Sequence, residues 1–259
     1  MNTHGNTPVD LVGRTGVVLR AISAHEPRGL TTTGVATATG LARPTAHRLL
    51  VALTREGLVE RDLRTHRWLL GPELFFLGRS ASPRYDVTAL AEPFVQRLAR
   101  VTGESAFFSV RRGDQTICLL REDGSFPIRS HVLYEGIRFP LGVASAGLAI
   151  LAYLPDVEAD AFLARTDLEP DFGPAHAPAA VRARIAETRT RGWALNPGLI
   201  VEGSWGIGAA VFDSQDRPRW ALSLTGVEQR FGGERSAEYG RVLLDSAHEL
   251  SRVLVQRGE

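Results

Sequence analysis

The sequence predicts an α+β chain, with an all-helical front closed by a two-stranded hairpin and a longer body of strands mixed with helices. Three observations carry this. Within residues 11–56, apolar side chains recur at helical spacing in three short segments punctuated by proline and glycine. Two strand-like segments follow them directly. Beyond Pro83 a long amphipathic segment leads into alternating strand and helix candidates. A length of 259 residues suits one or two domains.

Residues 1–9 are polar, with Gly5 and Pro8, and are expected to form a disordered tail. From Leu11 to Glu26, Thr15, Val18, Leu19 and Ile22 fall at i, i+3, i+4 and i+7, one helix stripe that Pro27 and Gly29 end. Thr31 caps a short second helix over Thr33–Thr39, and Gly40 stops it. A third helix carries Pro44 in its first turn and closes at Gly57, with Ala46, Leu49, Leu50 and Leu53 as its stripe. Strand-like Leu58–Arg61 and Arg67–Leu70 flank a polar turn. Leu74–Leu77 then forms an apolar segment after Gly71-Pro72. In the body, Tyr85–Thr102 reads as a long helix with Pro93 as a candidate kink. Ser105–Val110, Thr116–Leu120, Ile128–Leu133, Ile207–Phe212 and Arg219–Thr225 read as strands. Val143–Tyr153, Val157–Leu163, Pro178–Arg191 and Glu234–Gln256 read as helices.

Composition removes several function classes. Hydrophobic residues make up 44% and charged residues 23%, an ordinary globular balance. One cysteine, Cys118, excludes a disulfide framework and a cysteine-based zinc site within the chain. The apolar run Phe139–Leu154 is too short to span a bilayer, and the start shows no secretory signal. A cytoplasmic protein is expected. The net charge of +1 is unevenly spread. Residues 1–80 hold ten arginines against six acids, and the remainder carries an acidic surplus of three. A basic front suggests an anionic partner there.

No catalytic pattern emerges. The chain has no phosphate-binding glycine loop of the Walker type, and Gly203–Gly208 fits neither a nucleophile elbow nor a dinucleotide fingerprint. The histidines show no i, i+4 pair and no carboxylate pair stands out. No catalytic residue, metal ligand or cofactor is expected.

Three short helices followed by a hairpin make a winged helix-turn-helix, whose second motif helix enters the DNA major groove while the wing touches backbone or minor groove. Rotating the third helix at 100° per residue places Arg48, Val51 and Arg55 opposite its core stripe, with Thr45 and His47 on the flanks. Arg43, Thr45, His47 and Arg48 near its start are candidate groove readers, since arginine reads guanine bidentately. Arg55, the wing residues Arg64, His66 and Arg67, and Thr31 are candidate phosphate contacts.

The stretch TGLARPTAHRLLVALTREGLVERD, followed by RWLLGPELFFLG, resembles the DNA-binding domain of the IclR family of bacterial transcriptional regulators. The similarity continues through LAEPFVQRLARVTGES, FPLGVASAGLAILAYLP, RTRGWALN and IGAAVFDSQDRPRWALSLTG, from about Leu11 to Val255. It implies a winged helix-turn-helix over 10–70, a linker helix over 71–84, and an effector-binding domain over 85–259 with a curved antiparallel sheet flanked by helices. It also implies operator DNA as partner, a small-molecule effector, and a homodimer or dimer of dimers.

By position, the resemblance makes Ser145, Ala146, Asn196, Trp205, Gly206, Ser223 and Thr225 the candidate effector-binding residues. Ser223 and Thr225, two apart, project from one sheet face. The chain departs from the family pattern at Gly142, where histidine is common, at Leu148, where lysine is common, and at Asn196, where an acid is often found. Trp205 adds an apolar ring. The implied effector is therefore neutral or partly apolar. A ligand-responsive regulator is expected, with repression favoured over activation. The alternative is a metabolite-binding protein or enzyme with a vestigial DNA-binding domain.

Overall fold

The computed structural model describes residues 10–81 and 87–258. The tail over 1–9, the end of the linker segment at 82–84 and the first two residues of the Tyr85–Thr102 helix lie outside the described residues. The chain divides into two compact units, 1–85 and 86–259.

The first unit runs α1 (Leu11–Ser23), α2 (Thr32–Thr39), α3 (Arg43–Arg55), β1 (Val59–Arg61), β2 (Trp68–Leu70) and α4 (Pro72–Ala81). Local chemistry sets the helix ends. The Asp10 carboxylate accepts the Gly13 N–H at 2.7 Å, and Thr31 Oγ1 accepts that of Gly34 at 3.0 Å. Gly40, with φ +67°, closes α2 in the left-handed conformation. Val18 and Ile22 of α1, Val35 of α2, and Ala46, Leu49, Leu50 and Leu53 of α3 meet Val59 and Trp68 in one core. The hairpin is anchored to this core twice. Trp68 exchanges backbone hydrogen bonds with Leu30 at 2.7 and 3.0 Å, and its indole N–H donates to Thr32 Oγ1 at 2.9 Å. The first helix stops at Ser23 rather than Glu26, because Ala24–Arg28 turns to bring Leu30 to the hairpin.

The second unit contains α5 (Val87–Thr102), β3 (Ser105–Arg112), β4 (Gln115–Glu122), β5 (Arg138–Pro140), α6 (Ser145–Ala152), α7 (Asp156–Arg165) and α8 (Glu169–Phe172). After a 3-10 turn at Pro174–His176 come α9 (Pro178–Arg191), β6 (Ala194–Pro197), β7 (Ser204–Phe212), β8 (Pro218–Val227), α10 (Glu228–Phe231) and α11 (Glu234–Gln256). Six strands form one antiparallel sheet in the order β5-β4-β3-β8-β7-β6.

Strand parity divides the core. Ala106, Phe108 and Val110, Ile207, Ala209 and Val211, and Trp220, Leu222 and Leu224 pack with Leu98 of α5 and Leu243, Ala247 and Leu250 of α11. On the other face Ala210 and Ala221 pack with Leu148, Ile150 and Leu151 of α6 and Val181 and Ile185 of α9. That second face holds the candidate effector residues except Trp205, whose strand parity matches Ile207. Helix α5 continues through Pro93 without a break in its assignment.

One expectation fails here. Ile128–Leu133 forms no strand; the segment between β4 and β5 is irregular. Arg138–Pro140 takes the start of the β4 edge in place of residues 128–133, pairing with Gln115–Ile117. The short strands β5 and β6 and the one-turn helices α8 and α10 are not among the expected elements.

Candidate nucleic-acid interface and effector cavity

Helix α3 buries one stripe and exposes the rest. Arg43, His47, Arg48 and Arg55 are exposed, Thr45 is half-buried, and Val51 is half-buried rather than on the open face. In the wing, the Asp62 carboxylate accepts the N–H groups of Arg64 and Thr65 at 2.7 and 3.0 Å, and Asp62 accepts from His66 N–H at 2.8 Å through its carbonyl. The bonds from Thr65 and Arg64 to the carboxylate hold it below its usual range. They also fix a turn in which His66 takes φ +56°. Arg64 and His66 project from it exposed. Arg67 differs, because its Nη1 donates to Gly29 O at 3.0 Å and so ties the wing to the turn after α1. Thr31 caps α2 with the same hydroxyl that the sequence reading offers to phosphate.

Charge pairing separates the two units. All eleven ion pairs among the described residues lie in the second unit. Arg43, Arg48 and Arg55 therefore stand without a carboxylate partner on the surface of the first, and Arg64 forms no ion pair though it lies near the Asp62 carboxylate.

The cavity in the second unit lies where the start of α6 meets β7 and β8. Glycine makes that approach possible. A Cβ on Gly208 would stand 2.6 Å from the backbone of Ser145, and one on Gly206 would stand 3.2 Å from Ser145 Oγ. Gly206 and Gly208 oppose Thr225 and Ser223 across the ladder. The N-cap of α6, Ala144, offers no side-chain acceptor, so the first amide N–H groups of the helix lack a cap. Ser223 and Thr225 are buried, and Ser223 Oγ and Thr225 Oγ1 have no hydrogen-bond partner among the described residues.

Of the seven candidates, Ser145, Asn196, Trp205, Gly206 and Thr225 line the cavity; Ala146 and Ser223 lie buried beside it. Asn196 also has structural work. Its Nδ2 donates to Val143 O and its Oδ1 accepts the Leu199 N–H, both at 2.9 Å. Trp205 borders the space, but its strand parity and packing place the ring with the α5–α11 core. The apolar walls come instead from Val132, Leu133 and Ile200, none of which the sequence reading named. Gly142 and Leu148 are not wall residues. A Cβ on Gly142 would meet Val181 and Leu151, and Leu148 is fully buried in the α6–α9 core. Among the described residues, none that lines the cavity carries a charge.

Residues 11–63 match the IclR helix-turn-helix domain, and residues 80–252 match the C-terminal domain of the bacterial transcriptional regulator IclR. The chain is 32% identical over 253 residues to the glycerol operon regulatory protein of Streptomyces coelicolor, covering 93% of this chain and 94% of that one. It resembles the crystal structure of an IclR transcriptional regulator from Alicyclobacillus acidocaldarius, with TM-score 0.74 and 27% identity over 93% of this chain and 97% of that one. An IclR homologue from Microbacterium hydrocarbonoxydans, solved with 4-hydroxybenzoate, shares the fold at TM-score 0.71 and 22% identity, over 93% of this chain and 99% of that one.

Proposed function

The chain belongs to the IclR family of bacterial transcriptional regulators and is a ligand-responsive DNA-binding regulator; from that premise we propose that it represses transcription from an operator read by α3. Arg43, Thr45, His47 and Arg48 face the major groove, while Thr31, Arg55, Arg64 and His66 hold phosphates. Arg67 acts mainly by fixing the wing. The observation that carries this reading is the absence of ion pairs among the described residues of the first unit, against eleven in the second. Arginines without ion-pair partners suit a polyanion.

The protein works as a homodimer or dimer of dimers, with exposed Phe75, Phe76 and Leu77 of α4 joining the first units. It acts in the cytoplasm and by binding alone, without turnover, metal or cofactor. Its effector is uncharged, because neither arginine, histidine nor carboxylate lines the cavity. The Microbacterium relative's 4-hydroxybenzoate and its uncharged amide make the first test pair.

Fluorescence anisotropy with a short duplex of unselected sequence, repeated across salt concentrations, tests the DNA reading. The two phosphate-holding arginines of each protomer, Arg55 and Arg64, give a slope of log affinity on log salt of about −2 for each protomer engaged. A slope near zero would remove this surface from the interface.

A further inference from the structure

The cavity is narrower than an effector site requires. A water molecule's centre has about 20 Å³ in which to move there, which is room for about one water. Small-molecule pockets span roughly 300–1,000 Å³. A wall must therefore move to admit a metabolite. Strands β6, β7 and β8 are held by ladder hydrogen bonds, and α6 is buried along its whole length.

Two irregular walls remain: the short turn 198–203, which carries Ile200 and is tied by Leu199 N–H to Asn196 Oδ1 at 2.9 Å and by Ser204 N–H to Val201 O at 3.0 Å, and the longer segment between β4 and β5. The longer segment is pinned at both ends. Phe126 N–H donates to Gly103 O at 3.0 Å, and the Asp123 carboxylate accepts from Arg121 and Arg129 at 2.8 and 2.9 Å. At the far end Gly136 N–H donates to Cys118 O at 2.8 Å, and Cys118 N–H to Ile137 O at 3.1 Å. Between them, no backbone–backbone hydrogen bond ties residues 127–133 to the sheet. What holds the middle is the burial of Leu133, the partial burial of Val132, and one hydrogen bond of 2.6 Å between the hydroxyls of Ser130 and Ser204. Ser204 opens β7 on the other side of the cavity.

We propose that residues 123–137 are a strap that gates the effector cavity, with the Ser130–Ser204 hydroxyl pair as its latch and Val132 and Leu133 as the side chains that withdraw to make room. The inference rests on the reading of this cavity as the effector site. Loss of the latch frees the middle of the strap while both ends stay pinned, so the opening is local.

The protein carries its own reporter of that motion. Cys118, the chain's only cysteine, is buried in a cluster with Phe107 and the strap residue Leu133. Burial pushes its thiol up to about 12, so it reacts only when the strap lifts and water reaches it.

The test is the rate at which methyl methanethiosulfonate modifies Cys118 in the full-length protein, followed by mass spectrometry at several low denaturant concentrations. Ser204→Ala and Ser130→Ala are each expected to speed modification roughly three- to tenfold, as loss of one hydrogen bond does. The double variant should gain little more than either single. The rate should respond weakly to denaturant, because local opening exposes little surface. Ser204→Ala is the cleaner variant, since Ser130 Oγ also accepts the Val132 N–H at 3.3 Å. Unchanged rates in both single variants would overturn the proposal, as would a denaturant dependence equal to that of global unfolding. No ligand enters this assay, so it stands or falls separately from any measurement of effector binding.

Discussion

Ser223 Oγ and Thr225 Oγ1 sit buried and unpartnered on the face of β8 that looks toward the start of α6. Leaving a buried hydroxyl unsatisfied costs roughly 1–3 kcal/mol, and such groups in a native protein call for a functional reason. Thr225→Val keeps the side-chain shape and deletes the hydroxyl. It is expected to leave stability unchanged or raise it by up to about 1 kcal/mol, while weakening effector binding about tenfold. Calorimetry with 4-hydroxybenzamide and 4-hydroxybenzoate provides the measurement. The amide should bind more tightly, because no cation among the lining residues offsets a carboxylate. Tighter binding of the carboxylate, unaffected by Thr225→Val, would contradict this reading of the cavity. The two-residue spacing of these hydroxyls is legible in the sequence, since strand parity needs only a correct strand assignment. The environment of Leu148 is not. A residue at the start of a wholly buried helix faces either the cavity or the core, and only the packing of α9 against α6 decides it.

Among the elements, α3 and the wing were the most readable. A stripe at i, i+3, i+4 and i+7 records which face is buried, and Ala46, Leu49, Leu50 and Leu53 are buried as that stripe requires. The wing adds a distinction the sequence does not show, because Arg64 projects freely while Arg67 is spent on Gly29 O. On a specific duplex Arg48→Ala should cost about 1–3 kcal/mol and relax base preference at one position. Arg64→Ala should instead weaken binding to all sequences alike and reduce the salt slope by about one. Anisotropy titrations of both variants at three salt concentrations separate the two roles; identical behaviour would erase the distinction between base reading and phosphate holding. The strap was misread for a definable reason. Ile128, Val132 and Leu133 signal burial, and burial alone does not distinguish a ladder strand from an irregular wall. The competing partner, β5, is only three residues long and carries no comparable signal.

For the molecule as a whole, charge is segregated between two units built by different rules. The first leaves its arginines unpaired among the described residues. The second spends most of its own on carboxylates, as in the Arg165–Asp114 and Arg230–Glu104 pairs. Counting charge along the chain revealed the basic front, but pairing depends on tertiary neighbours and emerged only with the fold. An effector bound in the second unit shifts operator affinity only by its differential affinity for the two conformations, typically about 1–3 kcal/mol. The proposed two-fold assembly would make the matching operator an inverted repeat with half-site centres about one helical turn, or a multiple, apart. Selection of duplexes from a random pool by the full-length protein, with Arg48→Ala run in parallel, tests the central claim most directly. The account predicts enrichment of one inverted repeat by the wild type and a relaxed base position in each half-site for the variant. Retention of duplexes with no sequence enriched over the starting pool would contradict it.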